Sequence, residues 1–164
     1  MNFSTKGRYG LRAMIDLAVH SEEAVPISSI AARENISECY LEQLAAKLKK
    51  AGLVVSTRGA QGGYRLARPS SEISVGDVLR ALEGSVNAVE CPGLLEEESC
   101  QNSECCAARS VWQKINDSIT KAVDDIDLAQ LAEESRRARA QFAEAKAAEK
   151  AADPCKGVQQ TWQT

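Results

Sequence analysis

Cysteine is the residue type in this 164-residue chain whose spacing points most directly to chemistry. One cluster has the pattern Cys91-x8-Cys100-x4-Cys105-Cys106. Thiolates are soft ligands, so several of them close together are typical of an iron–sulfur or other metal site. The side chains of adjacent cysteines diverge from a shared backbone, and we therefore favour Cys106 over Cys105 as a ligand. The alternative is that some of these cysteines are small buried hydrophobic residues.

The composition predicts one domain with an appended helix or tail, because 164 residues with 44% hydrophobic content bury one core of ordinary size. No apolar run approaches the roughly 20 residues of a membrane span, and no apolar segment near Met1 precedes a small-residue cleavage site. We therefore expect a cytoplasmic protein without a membrane partner. In that reducing compartment, clustered thiols are expected to bind metal or do redox chemistry rather than form a disulfide framework.

The charge is distributed unevenly along the chain. Residues 1–68 contain 10 Lys/Arg and 6 Asp/Glu, a net charge of +4, whereas residues 69–164 contain 10 and 17, a net charge of −7. The basic segment is therefore the candidate for contact with phosphate, although the whole chain carries a net charge of −3.

Hydrophobic periodicity predicts three helices in the basic segment, over residues 4–20, 27–35 and 37–50. Ser28 and Ser37 are suited to cap the second and third helices, and Gly52 ends the third. The face of the third helix away from its predicted core stripe, with its flanks, consists of Cys39, Tyr40, Glu42, Gln43, Ala46, Lys47 and Lys50. Amide, phenol and ammonium groups suit base edges and phosphates, whereas the alternative is an ordinary solvated helix face.

The segment after the third helix favours DNA contact over an ordinary solvated helix face. Residues 53–57 and 64–66 flank a glycine-rich, basic connection, which predicts a hairpin wing. Arg58 at its tip can enter a narrow minor groove, and the glycines let the backbone approach a groove wall closely. A phosphate-binding nucleotide loop is rejected, because such a loop must be followed by a helix and here a strand follows it. The predicted fold class is mainly α with a small β-hairpin wing.

Downstream of the wing, Ser74 and Asp77 resemble a capping box that opens a helix ended by Gly84. A coiled-coil-like seam follows on a helix predicted from about 106 to 126, at Ala108, Trp112, Ile115, Ile119, Ala122 and Ile126. This seam indicates dimerisation, and the alternative is packing onto the chain's own core.

These patterns divide the chain into four parts. They are a winged helix-turn-helix DNA-binding domain over 1–84, a cysteine-rich cluster-binding loop over 85–106, a dimerisation helix over 107–130, and an Ala/Glu/Lys-rich helix with a flexible tail over 131–164. A two-fold dimer is expected to place the third helix of each subunit in successive major grooves about 34 Å apart.

The chain resembles the IscR-type family of winged-helix transcriptional regulators over roughly residues 1–130. The resemblance is carried, in this order, by Ser4-Thr-Lys-Gly-Arg-Tyr-Gly10, Tyr40-Leu-Glu-Gln43, Arg58-Gly-Ala-Gln-Gly-Gly-Tyr64 and Val75-Gly-Asp-Val78. It implies a homodimer on double-stranded DNA, with Tyr40, Glu42, Gln43, Arg58 and Gly59 at DNA-contacting positions. With two residues added from the third helix, the predicted DNA-binding set is Ser37, Tyr40, Glu42, Gln43, Lys47, Arg58 and Gly59.

The same resemblance implies an iron–sulfur cluster, with a 2Fe–2S cluster favoured over a 4Fe–4S cluster. Cys91, Cys100 and Cys106 match the family's three cysteine ligands in their places relative to Trp112. One departure concerns the fourth ligand, because Arg109 stands where the IscR subgroup places a histidine. Nitric-oxide-sensing relatives use an acidic residue near the N-terminus, and Arg8 occupies that place here.

The fourth ligand therefore stays open. The candidates are Cys105, an acidic residue such as Glu104, Cys155 of the tail, or a small-molecule thiol. His20 is the only histidine, and we expect it to be a helix-end residue rather than a ligand.

The sequence thus predicts a DNA-binding transcription regulator whose affinity is tuned by an iron–sulfur cluster, with target genes in iron–sulfur assembly or cysteine metabolism. Proteins of iron–sulfur assembly or cysteine synthesis are possible further partners. Alternatives within the family are control of cysteine metabolism without a cluster and thiols that act only as redox switches. A module that works chiefly through a protein partner is another alternative. An enzyme is not expected, because no CxxC motif or second catalytic constellation accompanies Cys105 and Cys106.

Overall fold

The structure is a computed structural model that describes residues 4–59, 62–94, 100 and 106–152. In these ranges the elements are α1 (Thr5–Val19), α2 (Ile27–Glu34), α3 (Glu38–Lys50), β1 (Val54–Thr57), β2 (Gly63–Leu66), α4 (Val75–Glu83), α5 (Ala107–Asp124) and α6 (Leu128–Ala152). Single turns of 3-10 helix lie at Ser70–Glu72 and Pro92–Leu94. The predicted fold class, mainly α with one small β-hairpin, is confirmed. None of the helices in the described ranges has both the length and the apolar character needed to cross a bilayer.

The hydrophobic core is built around α1, which packs between α4 and α6 and also contacts α2, α3 and β2. Most elements contribute a fully buried apolar side chain to it, among them Met14, Ile30, Leu44, Val54, Val78 and Leu128. Burial of a side chain of this size stabilises the fold by about 1.5 to 3 kcal/mol. The helix-turn-helix formed by α2 and α3 is therefore fixed on a platform of α1, α4 and the start of α6.

The helix caps follow the sequence with one exception. The Ser37 side chain accepts a hydrogen bond from the Tyr40 amide, and Ser74 and Asp77 form the predicted capping box. The predicted cap at Ser28 is wrong, because α2 begins at Ile27 with Pro26 in the cap position. The Pro26 carbonyl already accepts hydrogen bonds from the Ser29 and Ile30 amides, so Ser28 lies inside the first turn and cannot occupy the cap position.

The seam-bearing helix predicted from about 106 to 126 is α5, and the part of the chain predicted as a dimerisation helix over 107–130 is divided between α5 and the start of α6. Between α5 and α6 the chain pairs with the segment before α4: the Val75 amide donates to the Ile126 carbonyl (2.9 Å), and the Leu128 amide donates to the Ile73 carbonyl (3.0 Å). Leu128 is then fully buried in the N-terminal core. The break was missed because Ile126 continues the spacing of the α5 seam, whereas the pairing partner is distant in sequence.

A buried ion pair joins α1 to α2. Asp16 has no exposed surface, and its carboxylate oxygens accept hydrogen bonds from Arg33 Nε (2.9 Å) and Nη2 (2.6 Å). Arg139 of α6 lies 3.6 Å from the same carboxylate. These hydrogen bonds to Asp16 raise the pKa of Arg33 above its ordinary value. His20 ends α1 with its ring Nδ1 2.8 Å from the Asp16 carbonyl, the helix-end position expected for it.

A second polar contact joins the end of α4 to the start of α1. One Glu83 carboxylate oxygen accepts hydrogen bonds from the Ser4 hydroxyl (2.6 Å), the Ser4 amide (3.2 Å) and the Gly7 amide (2.9 Å). The Ser4 hydroxyl, the two amides and the charge of Lys6 lower the pKa of Glu83, and this effect exceeds the opposing effect of burial. A carboxylate at a helix N-terminus also interacts favourably with the helix dipole.

Asp16→Ala is expected to reduce the free energy of unfolding by about 1.5 to 3 kcal/mol, because it removes charge-assisted hydrogen bonds to a guanidinium whose side chain is 32% exposed and stays partly hydrated. Urea denaturation at a fixed protomer concentration measures the effect. Glu23→Ala, in the exposed loop after α1, is the control and should change stability by less than about 0.5 kcal/mol. Equal effects of the two substitutions would contradict this account of Asp16.

Glu83→Gln is expected to cost about 1 kcal/mol at pH 7 through loss of charge-assisted hydrogen bonds. The Glu83 pKa is lowered on folding, so its contribution is complete above the ordinary value of 4.5 and is lost as the pH falls through the folded-state pKa. Urea denaturation at several pH values should show the stabilities of wild type and variant converging in acid. A difference that stays constant with pH would show that the Glu83 charge is not responsible.

Candidate nucleic-acid interface and cysteine loop

The exposed face of α3 is held outward by the apolar face beneath it. Leu41, Leu44 and Leu48 are each 2% exposed and anchor the helix in the core. Of the predicted DNA-binding residues on this helix, Glu42, Gln43 and Lys47 are exposed, and Ser37 is exposed at its N-terminal cap. Cys39 lies on the same exposed side. The polar face of α3 is therefore accessible for contact with another molecule.

Tyr40 differs from its neighbours because it is half-buried against α1. Its hydroxyl donates to Thr5 Oγ1 (3.3 Å), and its ring meets the Tyr9 ring edge-on at 6.2 Å between centroids. Arg12 lies over the Tyr9 ring at 5.6 Å. The first turns of α1 thus flank the start of α3, a neighbourhood that sequence reasoning missed. The only signal is that Thr5, Tyr9 and Arg12 share one face of α1 by their helical spacing.

The predicted wing is formed by β1 and β2, which pair antiparallel from Val54 opposite Leu66 to Thr57 opposite Gly63. Arg58 and Gly59 follow β1 and are exposed, and Gly59 has a φ of 121°, which only glycine adopts without strain. Residues 60 and 61 of the predicted tip lie outside the described residues. Lys49 ties the wing to α3, because its Nζ donates to Ser56 Oγ at 2.6 Å.

Gly63 serves the protein's own packing rather than a groove wall. Its neighbour Tyr64 exchanges backbone hydrogen bonds with Val25 at 2.8 Å in both directions, as a third short strand would. A Cβ built on Gly63 would collide with the Val25 carbonyl. We expected the wing glycines to let the backbone approach a groove wall. At Gly63 the close approach is instead to the protein's own loop before α2.

The described part of the cysteine loop is attached to the body of the protein. Val86 is buried beside Val75 and Leu79 of α4. Cys91 is half-buried, and its carbonyl accepts a hydrogen bond from the Leu94 amide (2.8 Å). Cys100 is also half-buried, whereas Cys106 is exposed at the N-cap of α5.

The sulfur donors fit an iron–sulfur cluster by their chemistry, because three thiols in one loop are the ligands that such clusters use. Within the described ranges, no three histidine, cysteine or carboxylate residues stand together as a metal-ion site. Cys105, Glu104 and Cys155, which were considered as ligands, lie outside the described residues. Arg109 lies in the first turn of α5, exposed, and its amide donates to the Cys106 carbonyl at 3.1 Å.

The apolar seam of α5 is largely exposed in the single chain. Trp112 and Ile115 are each 36% exposed, and the neighbouring Val111 is 51% exposed, whereas Ile119 is half-buried. Ile126, which is 39% exposed, lies beyond the end of α5. An exposed apolar stripe on a helix with polar remaining faces is typical of a surface that packs against another chain. Val123 of α5 differs from these exposed residues, because it packs against the buried residues of α4.

The Rrf2 family model, described as an iron-dependent transcriptional regulator, matches residues 3–134. The HTH-type transcriptional regulator IscR of Pectobacterium atrosepticum is 44% identical over 132 residues, which are 80% of this chain and 79% of that protein. IscR of Vibrio cholerae is 43% identical over 132 residues, covering 80% and 75% of the two chains.

Two solved structures show the same fold at similar identity. The IscR structure from T. potens has a TM-score of 0.67 and 45% identity, with 84% of this chain and 90% of that chain covered. CymR, the global cysteine regulator of B. subtilis, has a TM-score of 0.68 and 43% identity, with 81% and 97% covered. Fold and sequence therefore agree on the same class of winged-helix protein.

Proposed function

The chain belongs to the Rrf2 family of transcriptional regulators, and from this premise we propose that it binds DNA as a homodimer whose affinity is tuned by an iron–sulfur cluster. Its relatives are transcriptional regulators, and it is a DNA-binding regulator rather than an enzyme. The observation that carries the DNA-binding mode is the exposed polar face of α3, set on three buried leucines and flanked by the wing.

In this proposal the residues of α3 and of the wing make different kinds of contact with DNA. Gln43 donates through its side-chain NH2 to adenine N7 and accepts through its side-chain carbonyl from adenine N6, and Glu42 accepts from the N4 amino group of cytosine, each contact giving about 1 to 3 kcal/mol of discrimination. Lys47 contacts phosphate and supplies affinity without sequence preference. Arg58 enters the minor groove, where Gly59 lets the chain turn close to the duplex.

The dimer is proposed to form along the exposed stripe of α5. Trp112 and Ile115 of α5, and Ile126 just beyond its end, expose more than a third of their surface, and pairing with a second α5 would remove this apolar area from water. The two-fold symmetry would place the α3 helices in successive major grooves about 34 Å apart. A palindromic operator follows from that symmetry.

Gln43→Ala is expected to relax discrimination at one base pair by about 1 to 3 kcal/mol and to leave the salt dependence unchanged. Lys47→Ala should weaken binding to all sequences and lower the slope of log K against log salt by about 1. Fluorescence anisotropy on a duplex selected by wild type from random sequences, with single base-pair variants of it, measures both effects.

The matched control is Lys121→Ala, which removes a lysine from the last turn of α5, away from α3. Its salt slope should equal that of wild type. If Gln43→Ala and Lys47→Ala both leave affinity and discrimination unchanged, α3 does not read DNA in the proposed way.

Cys91, Cys100 and Cys106 are the residues proposed to hold the cluster. A cluster bound there supplies a group that responds to oxidation and to iron supply. Cys106 is the N-cap residue of α5, so ligation of its thiol would fix the start of that helix. A cluster shifts the DNA-binding equilibrium only if it binds one conformation of the protein more tightly than another. The loop must therefore contact α5 differently in the cluster-bound and cluster-free forms.

The proposed target genes are those of iron–sulfur assembly or cysteine metabolism, and proteins of these processes are the proposed further partners. The similarity to IscR supports the first class of genes, and the similarity to CymR, named as a global cysteine regulator, supports the second. Arg109 replaces the histidine ligand of the IscR subgroup. The fourth ligand is therefore proposed to come from Cys105, an acidic residue such as Glu104, Cys155 or a small-molecule thiol.

Cys106→Ala is expected to abolish the visible charge-transfer absorption of protein purified without oxygen, because it removes one of three cysteine ligands. Cys39→Ala is the matched control, since it removes an exposed cysteine from α3 rather than from the loop, and it should keep the full absorption. Iron and sulfide analysis on the same samples completes the measurement. A colourless, iron-free wild type would refute the cluster.

A cluster-free cysteine regulator or thiol switch of the same family is the second candidate. The observation that favours it is the CymR structure, which matches the fold as well as IscR does, with TM-scores of 0.68 and 0.67. An iron-free wild type that binds DNA and loses affinity on oxidation would support this candidate. Retained DNA binding would also exclude a module that works only through a protein partner.

A further inference from the structure

Asn116 is one of two buried polar side chains in the described part of the chain, the other being Asp16. It is 9% exposed and lies in the middle of α5. Its Oδ1 accepts hydrogen bonds from the amides of Ala88 (3.0 Å) and Val89 (3.2 Å), and its Nδ2 donates to the Val89 carbonyl (3.0 Å). All its described partners are therefore backbone groups of the segment that leads into Cys91.

The position of Asn116 on α5 places the loop beside the apolar stripe. At 100° per residue, Asn116 and Val123 lie on one flank of the stripe, and Val111 and Ile115 lie on the other. The first flank faces the protein's own loop and α4, whereas the second is exposed. One helix thus contacts the cysteine loop on one side and presents an apolar surface to a second chain on the adjacent side.

Both ends of the cysteine loop are attached to this helix. The segment before Cys91 is bound at Asn116, and Cys106 caps the first turn of α5, about 15 Å away along the helix axis. Because Asn116 holds the backbone two residues before Cys91, we expect a rearrangement that moves Cys91 relative to Cys106 to change the hydrogen bonds at Asn116.

We propose that Asn116 is a positioning residue that fixes the backbone entering Cys91 and couples the state of the cysteine loop to α5 and so to DNA affinity. The coupling rests on the proposed cluster-dependent function. The amide is suited to this role because it offers an acceptor and a donor together, which two N–H groups and one carbonyl require. Aspartate keeps the acceptor and loses the donor, and alanine loses both.

The test compares full-length wild type with Asn116→Ala and Asn116→Asp, and uses Asp117→Ala as the matched control on the exposed side of α5. The measured quantity is the ratio of DNA dissociation constants between protein purified without oxygen and the same protein stripped of iron by a chelator. Asn116→Ala should bring this ratio to within about twofold of 1, while Asp117→Ala keeps the wild-type ratio. Asn116→Asp should give an intermediate ratio.

A role in structure alone would weaken both forms equally and leave the ratio unchanged. A wild-type ratio different from 1 that persists in Asn116→Ala therefore overturns this inference and leaves the proposed function intact. A wild-type ratio of 1 overturns cluster-dependent tuning and this inference with it. An unexpected ratio in wild type therefore indicates failure of the proposed function, whereas an unexpected ratio in Asn116→Ala alone indicates failure of this inference.

Hydrogen exchange on wild type gives a second readout that does not depend on a folded variant. The amides of Ala88 and Val89 should change their protection at least tenfold when iron is removed, because both donate to Asn116. The amide of Val25, which is bonded to Tyr64 in the wing, is the internal reference and should not change. Unchanged protection at Ala88 and Val89 would overturn the inference.

Discussion

Asp16 lies fully buried in α1 and accepts hydrogen bonds from Arg33 of α2 at 2.9 and 2.6 Å. A buried carboxylate is costly unless it is paired, so α2 is held where its Arg33 guanidinium reaches Asp16 of α1. Because α2 leads through the left-handed Asn35 into α3, the same pair helps to set where the exposed face of α3 lies. Apolar contacts add stability, but they tolerate small shifts that a bidentate ion pair does not.

From this fixed point, α4 connects the unit of α1, α2 and α3 to the long helices α5 and α6. Its last residue, Glu83, binds the start of α1, and its first residue, Val75, donates to the chain between α5 and α6. Arg80 of α4 also bonds Asp124 at the end of α5 at 2.7 Å. Contacts at both ends of α4 thus join α5 to α1 through one helix, which is the physical connection that the proposed coupling would use.

The sequence was informative wherever local chemistry decides the structure. Ser37, Ser74 and Asp77 bond backbone amides within their own helices, and the glycine-rich connection allows one hairpin, so caps and wing were predictable. Long-range pairing was not. The end of α5 depends on hydrogen bonds to Ile73 and Val75, and Tyr40 is positioned by α1. The sequence carried no local signal for the role of Asn116, because its partners lie 27 and 28 residues earlier.

The coupling proposed for Asn116 is of a size that could change the DNA affinity of the proposed dimer. Allosteric couplings between sites are commonly about 1 to 3 kcal/mol. The net contribution of one hydrogen bond is about 0.5 to 1.5 kcal/mol, so the set made by one buried amide is of comparable size. Tuning of DNA affinity would then require no repacking of the core around Asp16, only a change in how the segment before Cys91 is held on α5.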